Sequence, residues 1–114
     1  MRISDLETLD GVTCLQRDYQ DAEILAGYTS DLLSDVMAHV EEGSVLITIQ
    51  AHKNTVAVAA LTGVAAVIFC NNRPVTDDVL IAAGKASIAI FRTPHNQYMT
   101  SVAVAQHLGG CPAR

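Results

Sequence analysis

The chain has 114 residues, half of them hydrophobic but only 4% aromatic, and a formal net charge of -5. That length suits one domain with its own core, needing no metal or disulfide staples, and the core must be assembled from Val, Ile, Leu and Ala. The acidic balance and seven scattered basic residues argue against a nucleic-acid partner, whose phosphates call for clustered Lys and Arg.

Along the chain, Ser4-Asp5-Leu6-Glu7 has the spacing of a capping box and predicts a short first helix through about Leu9, ended by Gly11. Val12–Leu15 and Ala22–Ala26 read as two short strands around the charged stretch Gln16–Asp21. Leu32, Leu33, Val36, Met37 and Val40 then recur at helical spacing, with Ser30 or Asp31 available as cap and Gly43 beyond the end. The β-rich runs Ser44–Gln50, Ala65–Cys70 and Ser87–Phe91 read as central strands. Between them, Asn54–Thr62, closed by Gly63, and Thr76–Ala86, with Asp77 and Asp78 at its start, fit crossover helices. Thr55, Val56 and Val58 pull the first of these toward strand. Asn96–Leu108, after Pro94 and before Gly109, is the last expected helix, and 109–114 are expected to form a mobile tail.

Strands alternating with helices imply an α/β sandwich of two or three layers around a mainly parallel sheet, in a single domain spanning 1–114. The apolar stretch Val56–Cys70 is interrupted by Thr62 and Gly63 and is too short to span a bilayer. Met1-Arg2-Ile3-Ser4-Asp5 has no apolar signal core, so a cytoplasmic location without membrane contact is expected. Cys14, Cys70 and Cys111 are odd in number and lack a CxxC spacing, which suggests neither a disulfide framework nor a zinc site. Cys70 closes an apolar run and is expected in the core.

In a parallel sheet every strand-to-helix loop emerges at the carboxyl edge, where open α/β folds bind their ligands. The four loops here are polar and offer Thr29, Ser30, Asp31, Gln50, His52, Asn54, Asn71, Thr93 and His95 as ligand-binding candidates, suited to a small anionic or nucleotide-like group. His52 and His95 are the natural acid–base or metal-ligand candidates, but no motif supports either role. Ser30, His52 and Asp31 supply the residue types of a nucleophilic triad and nothing more. GxSxG, GxxxxGK[ST] and GxGxxG are all absent, so no catalytic residue, metal or cofactor is expected. His39 and His107, inside helical stretches, read as ordinary surface or partly packed side chains, and Glu41 and Glu42 as a solvated patch.

The strings Gly27-Tyr28-Thr29-Ser30-Asp31-Leu32-Leu33-Ser34-Asp35-Val36-Met37-Ala38, Gly43-Ser44-Val45-Leu46-Ile47-Thr48-Ile49-Gln50-Ala51-His52 and Asn54-Thr55-Val56-Ala57-Val58-Ala59 resemble DRTGG-domain proteins. The likeness continues more weakly through Ala66–Cys70, Arg73-Pro74 and Ile88–Pro94. It implies a fold similar to the N-terminal domain of HPr kinase/phosphorylase, and a regulatory or dimer-forming role with no established reaction. Stand-alone members of this family accompany iron-hydrogenase and redox-related genes, which would make a signalling or redox enzyme a partner. The literal string Asp-Arg-Thr-Gly-Gly is absent here, and Gln50-Ala51-His52-Lys53-Asn54 occupies the matching loop. The leading expectation is therefore a non-catalytic module that homodimerises and binds a small ligand. A pure interaction domain is the alternative, and a small hydrolase or phosphotransferase using His52 or His95 comes third.

Overall fold

The continuous apolar runs become short strands buried on both faces, as expected where a parallel sheet is covered by helices on each side. A computed structural model describes residues 1–109, so the expected tail, Cys111 included, lies outside the described residues apart from Gly109. In chain order the elements are a 3-10 helix at Ile3–Thr8, β1 (Thr13–Gln16), β2 (Ala26–Thr29), α1 (Leu33–His39), β3 (Ser44–Thr48), α2 (Lys53–Thr62), β4 (Ala66–Phe69), α3 (Asp77–Lys85), β5 (Ala89–Arg92) and α4 (Gln97–His107).

The sheet order is β1-β5-β4-β3-β2. β2 to β5 are mutually parallel and β1 runs antiparallel to β5 along one edge. Because each parallel strand is laid beside the previous one in the same direction, right-handed crossovers carry α1, α2 and α3 to a common face. There Val36, Val56, Ala59, Val79 and Ala83 pack on Leu46, Val67, Phe69 and Ile90. After β5 the chain crosses to the opposite face, where α4 lies over β2 and β3 and the 3-10 helix lies over β5. On that side Ile3, Leu6, Leu9 and Val104 meet Val45, Ile47, Ile68 and Phe91. The result is three layers. Residues in register across the sheet, such as Tyr28, Leu46, Val67 and Ile90, share a face as the period-two pleat requires. The chain's two phenylalanines, Phe69 and Phe91, are fully buried in opposite layers.

Three expectations are corrected. The Ser4–Glu7 capping box does not form. The Arg2 amide donates to the Asp5 carboxylate instead (2.8 Å), and the Ser4 amide and hydroxyl donate to Asp21 (3.0 and 2.6 Å). These contacts start a 3-10 rather than an α-helix. The second strand is displaced: Ala22–Ala26 carries only an isolated bridge between Glu23 and Arg2, and the strand is Ala26–Thr29. Gly27 lies beneath α4, with Val104 3.7 Å from where a Cβ would sit, an ordinary packing distance. Finally, neither Ser30 nor Asp31 is the α1 cap; Leu32 holds that position without a side-chain bond, and Ser30, two residues earlier, accepts from the Leu32 amide through its Oγ.

The segment whose residues pulled toward strand is helical. Thr55, Val56, Val58 and Ala59 of α2 are buried, and packing outweighs their propensity. His39 and His107 are exposed, each ring set against the carbonyl four residues earlier. No helix among the described residues is long and apolar enough to cross a membrane.

Candidate functional site

All four parallel strands end at one edge, and the expected candidate residues are carried there by the turns that follow them. Thr29 is the exception to a loop assignment, being the last residue of β2. Its hydroxyl is 2.7 Å from Ser101 Oγ of α4, which fixes it on the α4 side of the sheet.

Asp31 is the organising group of the first two loops. Its Oδ1 accepts from the Thr48 hydroxyl (2.9 Å), the Ile49 amide (2.9 Å) and Gln97 Nε2 (2.8 Å). One carboxylate oxygen thus ties the end of β2, the end of β3 and the first turn of α4. Thr48 and Gln97 were not anticipated from the sequence. They stand 17 and 66 residues from Asp31, and no local pattern marks them.

In the β3–α2 loop, the Gln50 carbonyl accepts from the Thr55 hydroxyl (2.6 Å). His52 is the N-cap of α2, and its Nδ1 accepts from the Asn54 amide at 3.1 Å. An accepting Nδ1 places the ring hydrogen on Nε2. Asn54 is exposed in the first turn of the helix.

The other two loops run together. Asn71 and its neighbour Asn72 both adopt left-handed backbone, φ 58° and 51°, a conformation that Asn tolerates better than most residues. The Asn71 amide donates to the His95 carbonyl and the Asn72 amide to the Thr93 carbonyl, both at 2.9 Å. The Thr93 hydroxyl, buried, accepts from the His95 amide at 3.2 Å. His95 is half-buried, and its Nε2 lies 3.4 Å from the exposed Asp10 carboxylate. The candidates therefore form two joined pairs of loops. Asp31 binds the first pair, and backbone bonds from Asn71 and Asn72 bind the second.

Beside this edge a cleft of about 160 Å³ opens between the turn preceding β1 and α4, with Leu9, Val12, Met99 and Ala103 as its walls and Thr93 and His95 contributing polar groups. Its residues before β1 were not anticipated, because nothing local to them announces proximity to β5.

Ser30, His52 and Asp31 do not form a relay: Ser30 bonds Leu32, His52 bonds Asn54 and Asp31 bonds Thr48, Ile49 and Gln97. Burial pushes the Cys70 thiol up, so it is a core residue rather than a nucleophile. On the far side of β2, Tyr28 donates to Asp35 (2.8 Å), whose carboxyl is held below its usual value by that bond first and by Ser30 and His39 next. Among the described residues, no group of three His, Cys, Asp or Glu side chains is placed to hold a metal.

These elements define a three-layer α/β sandwich whose strand-to-helix loops meet at the carboxyl edge of the sheet. A model of the DRTGG domain matches residues 7–107, and the chain belongs to that family. Among solved structures, it resembles the CBS and DRTGG domains of the regulatory region of Clostridium perfringens pyrophosphatase, crystallised with the activator diadenosine tetraphosphate. The TM-score is 0.72 at 13% identity, over 91% of this chain and 46% of that one, so this chain spans less than half of that region. No curated protein matches the sequence.

Proposed function

We propose that this chain is a non-catalytic regulatory module of the cytoplasm that binds a small anionic or nucleotide-like ligand at the carboxyl edge of its sheet. The observation that carries this reading is the convergence of four polar strand-to-helix loops at one edge, joined in pairs through Asp31 and through Asn71 and Asn72. Thr29, Ser30, Asp31, Gln50, His52, Asn54, Asn71, Thr93 and His95 are the proposed ligand-facing set. Lys53, Arg73 and Arg92, at the same edge, supply positive charge in an otherwise acidic chain. Family membership supports the regulatory part, and so does the structural neighbour, a regulatory region that binds a nucleotide activator.

A ligand that binds only the native state raises the melting temperature with its concentration. A thermal-shift series with diadenosine tetraphosphate, ATP and phosphorylated metabolites is expected to give such a rise with at least one of them. A flat response to all of them would remove the ligand-binding reading.

A second reading is favoured by one surface feature. Tyr98, Met99 and Val102 of α4 are 78%, 51% and 40% exposed, an apolar strip that suits homodimerisation or docking on a kinase- or hydrogenase-related partner. Sedimentation over a wide concentration range is expected to show a dimer that Tyr98→Glu dissociates. A monomer at every concentration would count against self-association.

A further inference from the structure

We propose that the cleft between the turn before β1 and α4 receives a flat heteroaromatic ring, the base of a nucleotide-like ligand whose anionic part lies along the adjoining loops. This deepens, and rests on, the reading of the sheet edge as a ligand site.

Size comes first. The cleft holds about 160 Å³, and an engineered apolar cavity of about 150 Å³ accepts benzene. Its walls are apolar on both sides: Leu9 and Val12 from the turn, Met99 and Ala103 from successive turns of α4. Met99 is half exposed, and its thioether offers a polarizable contact for a ring edge. At position 103 the alanine leaves the space that a larger side chain would fill.

Polarity at the inner end is selective. Of the two buried threonines there, Thr100 is committed, its hydroxyl donating to the Asn96 carbonyl (2.8 Å) and accepting from the Cys70 thiol (3.5 Å). Thr93 is half committed. Its oxygen accepts from the His95 amide, which leaves the hydroxyl hydrogen for an acceptor such as a ring nitrogen. At the outer end Gly11, at φ +78°, makes room for His95, since a Cβ there would come within 2.9 Å of its Nε2. The imidazole can therefore lie against the turn, its Nε2 toward Asp10.

The test separates ring from charge. Methyl and amide spectra of the labelled protein are recorded during titration with adenosine, which has the ring without phosphate, and with inorganic tripolyphosphate, which has the charge without the ring. Adenosine is expected to shift the methyls of Leu9, Val12, Met99 and Ala103, and tripolyphosphate to shift only the loop amides. Ala103→Phe fills the cleft and is expected to weaken adenosine binding on the order of tenfold or more, leaving the tripolyphosphate response intact. Thr93→Val gives an independent loss of adenosine affinity should the phenylalanine prevent folding. Adenosine shifts confined to other loops would overturn the cleft assignment and leave the ligand-binding reading standing. Silence with both probes would overturn both.

Discussion

Asp31 uses a single oxygen to accept three donors from three segments, so its removal leaves three partly buried polar groups without an acceptor. Asp31→Ala is expected to lower stability by about 2–3 kcal/mol in urea unfolding, since bonds to a charged group and stranded donors each weigh about that much. Asp31→Asn keeps an acceptor oxygen in place and is expected to lose clearly less. Equal losses in the two variants would show that the oxygen's hydrogen bonds are not what matters. His52 needs a similar control before any loss of binding is assigned to its imidazole. As an N-cap, its truncation to alanine is expected to cost about 1 kcal/mol, which His52→Asn restores. If the asparagine variant regains stability but not ligand response, Nε2 is a ligand group. Asp21 supplies a pH signature. The Ser4 hydroxyl above all, with the Ser4 amide and Arg2, lowers its carboxyl from the usual 3.8 to about 2. A depressed carboxyl contributes stability that is fully present above its unfolded value and is lost as the pH falls through the folded one. The denaturation midpoint is therefore expected to fall from about pH 4 toward pH 2, with a shallower slope in Asp21→Asn. An unchanged slope would refute this account.

At the scale of elements, Gly63 ends α2 in left-handed backbone, φ +75°, where a Cβ would approach Glu42 Cγ to 2.7 Å. Gly63→Ala is expected to cost about 1–2 kcal/mol from backbone strain alone, measured by the same urea midpoints. A neutral result would mean that the helix end relaxes. This glycine was legible in the sequence as a helix stop, and so were the buried strands β3, β4 and β5, because a strand buried on both faces writes itself as a continuous apolar run. β2 was not. It is a four-residue edge strand with alternate residues exposed, so the more apolar Ala22–Ala26 beside it gave the stronger signal. Of the candidate site, the loops could be read, because the parallel arrangement places them by topology. Their hydrogen-bonded organisation could not be read, because Asp31 and Gln97 are joined only once the whole sheet exists. The turn before β1 meets α4 only in the folded molecule, so no local pattern marks it.

For the whole molecule, the strand order puts β4 and β3 inside the sheet and leaves β2 and β1 at its margins. Every residue of β3 and β4 is buried. Their amides are expected to exchange with solvent only through global unfolding, whereas those of β2 exchange through smaller openings, as read by native-state hydrogen exchange. Equal protection across the sheet would contradict this ordering. The same order bears on biosynthesis. β1 leaves the ribosome before the other four strands of this sheet, yet its neighbour is β5, whose Arg92 pairs with Thr13. While the parallel strands are still being translated, the first strand has no template on which to settle. Its pairing must wait until β5 has been released, and until then its backbone edge stays open to chaperones and to misassociation.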